Sequence, residues 1–430
     1  MGFLRQAVVV LVVAYVLNKI PSYLKPTLTP RFDGYFHPEF RKVAEAFKKY
    51  VENGEERGAS MAFYHKGELL VDVWGGFADP VSGRHWKNDT LCLMYSATKG
   101  VTALLVAQFV DRGLLDYKKK VSDYWPKFGQ NGKKDITLET LITHQGGLAA
   151  TNGTIPLEWM ITDPDKADAF AERQKPTWKP GTKLGYHGIT YGLFLDPLMK
   201  KADPKHRNIG QILRDEVSVP FGIDIYNGLP YDELHRVARQ VPLGFGTMLW
   251  DYLTSFNLRY YKLAYNLFGP TGTLKLLINS GFDQIPAESA FDNPDIMRVP
   301  MSSYMGFGNG RSLGKLFGIV ANGGKHNGKQ LLSQKSIDRL AKPIVNKPGE
   351  YGLLRNMGLG VFYFPTGKGH EVMGTIGAGG QIAYADLENH VGFGYVTNHG
   401  GSFGFNDDHK VVEYQKLFYE CLENYLKSKK

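Results

Sequence analysis

The sequence predicts an α+β chain of two lobes: an antiparallel sheet assembled from both ends of the polypeptide, flanked by N- and C-terminal helices, with a mostly helical lobe inserted at about residues 100–290. Three observations predict it. Hairpin patterns rich in β-branched and aromatic residues occur early and again late in the chain, helical periodicity dominates between them, and amphipathic helical patterns lie outside both. At 430 residues the chain can bury a large core without a disulfide or metal staple. Its 43% hydrophobic and 22% charged residues sit near globular averages, and 50 Gly against 22 Pro indicate turns rather than disorder.

The first element is an apolar run, Ala7 to Leu17, preceded by Arg5, with no acidic residue before Asp33. It reads as a targeting pattern: an uncleaved single-pass membrane anchor within residues 1–24, with a cleaved secretory or organellar signal, or a buried segment, as the alternatives. A Pro-containing linker, residues 25–34, separates it from one folded unit at 35–428. Phe40, Val43, Ala44, Phe47, Tyr50 and Val51 recur at helical spacing. Ala59–Tyr64 and Leu69–Trp74 flank a His-Lys-Gly-Glu turn as a hairpin, and Val101, Leu104, Leu105 and Phe109 mark a helix. Eight aromatics between Phe245 and Phe268 read as a buried helical core, or as an apolar lid or membrane-pressed surface. Gln381–Ala385 and Val391–Thr397 form a second hairpin, and Asp408 to Leu426 a closing helix.

Charge and cysteine content exclude more than they assign. Net charge is +9 and the pI near 9.1, but the lysines come in short bursts, at 118–120, at 133–134 and at the C-terminal tail, without aromatic interleaving. That is a solvated basic surface and not a nucleic-acid site. Cys92 and Cys421 make at most one bridge and read as inert buried thiols. Two sequons, at Asn88 and Asn152, are glycosylation sites only if the folded body is lumenal.

The strongest chemical signal is Tyr95-Ser96-Ala97-Thr98-Lys99-Gly100 at the opening of the helix that carries Val101. Residues three apart share a helical face, so the Lys99 amine can reach the Ser96 hydroxyl, and serine needs such a neighbour to become a nucleophile. A helix N-terminus also offers backbone N–H groups to an oxyanion. Alone, the pattern is short enough to arise by chance.

Downstream stretches give it context: Ile136 to Leu148 with its His144-Gln-Gly-Gly core, Gln174 to Thr182, Tyr186-His187-Gly188, Asn309 to Gly324, and Gly377-Ala-Gly-Gly380. Together they resemble the β-lactamase and penicillin-binding-protein superfamily of serine hydrolases, on the branch of class C β-lactamases and esterases that includes animal β-lactamase domain-containing proteins. The resemblance implies a β-lactamase/transpeptidase-like fold and an acyl-enzyme mechanism on a small ester or amide, without a cofactor or metal. It implies Ser96 as nucleophile, Lys99 as its proton-sharing partner and Tyr186 as the second-motif tyrosine; a lysine cation stabilises tyrosinate while burial favours neutral lysine, so the pair can share a proton. Which of the two takes the serine proton stays open.

Two departures narrow the substrate. Gly188 stands where the family's second motif has Asn, and Thr375-Ile376-Gly377 aligns with a third motif that normally begins with Lys or His. The strand at Thr375, Gly377 and Ala378 still offers the Ala378 N–H beside that of Ser96, because an oxyanion needs only backbone donors. The expected activity is therefore esterase-like rather than true β-lactamase, with a weakly active or inactive scaffold of the same fold as the alternative. Competing motifs fail on context. Gly400-Gly-Ser402-Phe-Gly404 lacks room for a following Asp and His, Gly323 to Gln330 reads as a hairpin turn rather than a phosphate loop, and His370-Glu371 lacks a second histidine.

Overall fold

The computed structural model describes residues 28–241, 280–283, 291–346, 356–400 and 406–429, together with Tyr261 and Tyr265. The apolar run at 7–17, most of the aromatic stretch at 245–268, and Ser402 lie outside these residues. The expected single-pass anchor is corrected: no helix among the described residues is long and apolar enough to cross a membrane. The physical reason is length, since eleven apolar residues rise only ~16 Å as a helix, about half the hydrocarbon thickness.

The sheet forms from both ends of the chain, as expected. Strands β1 (Phe32–Phe36), β2 (Gly58–His65) and β3 (Glu68–Asp79) come from the N-terminal side, and β4 (Phe362–Pro365), β5 (Glu371–Ile376), β6 (Ile382–Asp386) and β7 (Val391–Thr397) from the C-terminal side. They pair antiparallel in the order β1-β3-β2-β7-β6-β5-β4, extended at the far edge by Asn356–Met357 and Val345–Asn346. The two predicted hairpins, β2–β3 and β6–β7, meet at the centre through β2 and β7, where every residue of both strands is buried. Burial on both faces requires a layer on each side.

The outer layer is helix α1 (Arg41–Glu52) with helix α5 (His409–Ser428). Val43, Phe47, Tyr50 and Val51 of α1 are buried, as are Tyr414, Phe418, Leu422 and Tyr425 of α5. Their spacing of three and four puts each set on one face. Phe418 stacks on Phe63 of β2 with centroids 4.0 Å apart, one of several aromatic contacts that join the two ends of the chain.

The inner layer carries the site. Helix α2 (Ala97–Asp111) is buried almost all round and packs against β5, while α3 (Thr190–Ala202) belongs to the helical lobe beyond it. Helix α4 (Gly310–Ala321), N-capped by the Asn309 side chain, lies directly on β2 and β7. Glycine makes that approach possible: a Cβ on Gly392 would come within 2.2 Å of the Gly318 backbone. The Gly323–Gln330 stretch is a hairpin, Lys325–His326 against Lys329–Gln330, as expected. Its turn residues Asn327 and Gly328 both have positive φ, 47° and 78°.

One expectation of surface charge is corrected. Lys133 is fully buried, not solvated, because its amine is enclosed by the carbonyls of Gln130, Glu172 and Gln174.

Candidate active site

Ser96 immediately precedes α2, at the seam between sheet and helical lobe. The chain reaches it through a strained residue, since Tyr95 has φ 46°, a left-handed conformation that costs a tyrosine about 1–3 kcal/mol. That bend turns the short strand Cys92–Leu93 into the helix over the few residues between them. The Ser96 hydroxyl makes no capping bond to its own helix, so it is left to other side chains.

Two of them meet it. Lys99 Nζ lies 3.1 Å from Ser96 Oγ, and Tyr186 Oη donates to the same oxygen at 2.7 Å. The amine is also 2.8 Å from the Gly188 carbonyl and 2.6 Å from the Ser303 carbonyl. Among the described residues no carboxylate pairs with it. Burial therefore holds Lys99 well below the usual lysine range. Burial also pushes the Tyr186 phenol up to about 12, the Ser96 hydrogen bond opposing it only in part. Of the two effects the sequence leaves open, cation–tyrosinate coupling and burial, burial drives both groups toward their neutral forms.

The third predicted segment closes the site from the sheet side. A Cβ on Gly377 would lie 2.5 Å from the Met94 carbonyl, so only glycine lets the end of β5 pass this close to the bend before Ser96. Gly377 N–H donates to Gln381 O at 2.8 Å and Gly380 N–H to Gly377 O at 3.0 Å, a tight turn with Ala378 exposed on it. Among the described residues, neither the Ser96 nor the Ala378 N–H donates to another backbone carbonyl. Thr375 has a different place. Its side chain is fully buried, its hydroxyl donates to the Ala97 carbonyl at 3.2 Å, and it sits where a Cβ on Gly100 would fall 2.4 Å from its own. It ties β5 to the start of α2.

Asn88 and Asn152 are both exposed and belong to no part of this cluster. Cys92 and Cys421 are free and buried, and burial raises the Cys92 thiol to about 12, so it stays protonated and inert. No group of three or more metal-ligating side chains occurs among the described residues.

Several supporting residues carried no assigned role in the sequence reading. Ser303, whose carbonyl holds Lys99, has its hydroxyl donated to Ile189 O and accepts from Gly192 N–H at 2.7 Å. Its neighbour Ser302 donates its N–H to Asp196 Oδ2 at 2.9 Å. Asp196 is a buried carboxyl pushed by desolvation up to about 7. His144 and His187 sit behind Tyr186, both fully buried. The two histidines lie inside stretches the sequence had marked, His144-Gln-Gly-Gly and Tyr186-His187-Gly188, so their position was visible even though their function was not.

A serine hydroxyl held between a buried amine without a carboxylate partner and a buried phenol, with two N–H groups that donate to no backbone carbonyl among the described residues, defines a serine hydrolase site. A family model described as Beta-lactamase matches residues 43–416, and the chain belongs to that family. It is 29% identical over 389 residues to Esterase/beta-lactamase LipL of Mycobacterium tuberculosis, covering 88% of this chain and 86% of that one. Among solved structures, a family VIII carboxylesterase superposes with a TM-score of 0.77 at 30% identity, covering 91% of this chain and all of the other. A penicillin-binding-protein homologue from Caulobacter crescentus gives a TM-score of 0.75 at 28% identity over 91% of this chain. These likenesses bear out the superfamily and its esterase branch; the likeness to animal members is not shown by them.

Proposed function

We propose that the protein hydrolyses small esters through an acyl-enzyme on Ser96, with Lys99 as the base, Tyr186 as the proton carrier to the leaving group, and the Ser96 and Ala378 N–H groups as the oxyanion hole. The observation that carries this reading is the coordination of Lys99. A neutral amine has two N–H donors and one lone pair. Two of its three partners are carbonyls, which only accept, and the third is the Ser96 hydroxyl. A neutral Lys99 that gives both N–H groups to Gly188 and Ser303 has its lone pair free for the Ser96 proton.

In acylation, Ser96 Oγ attacks the ester carbonyl carbon while its proton moves to Lys99 Nζ. The carbonyl oxygen becomes an oxyanion held by backbone donors, each worth about 2.7–4 kcal/mol in comparable sites. Collapse breaks the bond to the leaving oxygen, which takes a proton from Tyr186 as the phenol regains one from the Lys99 ammonium. Water then repeats the sequence on the acyl-enzyme, giving its proton to Lys99, and Ser96 leaves reprotonated. An ammonium without a counter-charge is unstable in this enclosure, which favours passing the proton onward.

Ester selectivity follows from what the site lacks. Gly188 offers no side-chain amide, and its carbonyl is engaged by Lys99. Thr375 offers no cation and is buried under Gly100. Each missing charge-assisted contact to a substrate carboxylate costs about 1.5–3 kcal/mol, or about 10- to 100-fold. The test is intact mass after exposure to a serine-directed phosphonate, alongside kcat/KM for a short-chain aryl ester and a chromogenic cephalosporin. One phosphonyl adduct, absent in Ser96→Ala, and preference for the aryl ester are expected. Equal labelling of Ser96→Ala, or preference for the cephalosporin, overturns the reading.

A further inference from the structure

The backbone on either side of Tyr186 is held by two imidazoles rather than by regular secondary structure. Gly185 N–H donates to the His144 carbonyl at 3.0 Å, and His187 N–H donates to His144 Nδ1 at 3.2 Å. The His187 ring returns to the same segment, with Nδ1 2.7 Å from the Gly185 carbonyl, while its Nε2 accepts the Leu148 N–H at 3.0 Å. These contacts fix both tautomers. His187 accepts at Nε2, so its proton is on Nδ1 and is donated to Gly185; His144 accepts at Nδ1, so its proton is on Nε2. The His144 ring also packs edge-on against Tyr186, centroids 4.9 Å apart. His144 itself has φ 58°, a left-handed conformation that brings its carbonyl and its ring to bear on the same segment.

We infer that His144 and His187 form a neutral, tautomer-locked clamp that fixes the Tyr186 hydroxyl against Ser96, and that both are positioning residues for acylation. The inference rests on the reading of Ser96, Lys99 and Tyr186 given above. An added proton on either acceptor nitrogen would set N–H against N–H and open the clamp. The groups facing the pair reinforce the neutral state: His144 meets His187, Tyr186 and Tyr191, Lys99 is the nearby basic group, and His187 also packs near Trp178. Burial depresses both imidazoles, His187 to about 4, in keeping with this geometry.

Three substitutions at 144 separate positioning from mere packing. In His144→Asn the amide oxygen falls where Nδ1 was and can accept the His187 N–H. In His144→Gln the polar atoms fall further out, near the Nε2 position, and His144→Leu has no acceptor. With the aryl ester, Leu and Gln should lower kcat by about 10- to 100-fold while KM changes less than about threefold, because loss of near-attack geometry acts on the chemical step. Asn should recover most of the rate. The same losses should disappear in a Tyr186→Phe background, where no hydroxyl remains to be positioned. If Leu fails to fold, the Gln and Asn pair carries the comparison. Equal rates for Asn and Gln, or an undiminished Gln effect in Tyr186→Phe, overturn the clamp. An unchanged rate in Tyr186→Phe alone would instead overturn the underlying assignment of Tyr186.

Discussion

Lys99 and Lys133 are both enclosed lysines whose amines end on backbone carbonyls, and what differs is the third partner. Lys133 meets three carbonyls, of Gln130, Glu172 and Gln174. Three acceptors call for three N–H donors, which only the ammonium supplies. Burial lowers Lys133 to about 8, with the Glu172 carboxylate opposing, so it remains charged at neutral pH. Lys99 meets two carbonyls and a hydroxyl, no carboxylate among the described residues pairs with it, and burial holds it well below the usual lysine range. The same residue type in the same kind of enclosure is thus a strut in one place and, in the mechanism proposed above, a base in the other. The count of obligate acceptors decides which.

The most direct way to break this comparison is to remove each amine in turn. Lys99→Met should lower kcat/KM for the aryl ester by about 10²–10⁴, the range for loss of a general base, and cost less stability than the loss of Lys133, since it orphans two carbonyls rather than three and removes a strongly desolvated amine. A variant with more than a tenth of wild-type activity would sink Lys99 as the base. Lys133→Met should do the reverse. It orphans three buried carbonyls and should destabilise by about 2–4 kcal/mol in urea unfolding, with kcat unchanged per folded molecule. A loss of activity without a loss of stability there would erase the distinction.

Asp196 sharpens the comparison from the acidic side, because it too is buried without a cation among the described residues. Its folded pKa is raised to about 7 from an ordinary carboxylate value. Between about 4 and 7 the folded state therefore binds more protons than the unfolded state, and stability contributed by this group falls as pH rises through that window. Asp196→Asn can keep the acceptor for Ser302 N–H. Its melting temperature should match wild type near pH 4 and exceed it near pH 8, by about 1–3 kcal/mol of stability. A difference that does not grow with pH would count against a charged, unpaired Asp196.

The smallest effect is expected at His187, where the sign is opposite. Its folded pKa is lowered to about 4, so between about 4 and 6.5 the unfolded state binds more protons. The stability due to its neutral ring is complete above about 6.5 and is lost as pH falls toward 4. The stability difference between wild type and His187→Gln, which does not titrate there, should shrink by about 1–2 kcal/mol over that interval. A constant difference would mean that His187 is not held neutral by its surroundings.

Much of this architecture was legible in the chain because it is local. Alternation at 59–74 and 381–397 specifies two hairpins, spacing at 40–51 and 408–426 specifies two terminal helices, and Ser96-x-x-Lys99 needs only one helical turn to bring its groups together. Tyr186 and the Gly377 turn were legible through motif order, and Ser96 does meet Tyr186 across 90 positions of sequence. What periodicity could not supply was the environment of each group. Lys133 read as part of a surface burst and is enclosed; Thr375 read as a substrate-strand position and is a tie to Ala97. Whether Lys99 is an ammonium or an amine depends on the carbonyls of Gly188 and Ser303, 89 and 204 positions away. Of the two imidazoles behind Tyr186, His187 acquires its tautomer from Leu148 and Gly185, and His144 from the His187 N–H. The sequence by itself determined which groups the site contains and the order in which the chain delivers them. Only the tertiary structure decided their protonation, because desolvation and the number of available acceptors arise where distant segments close around one another.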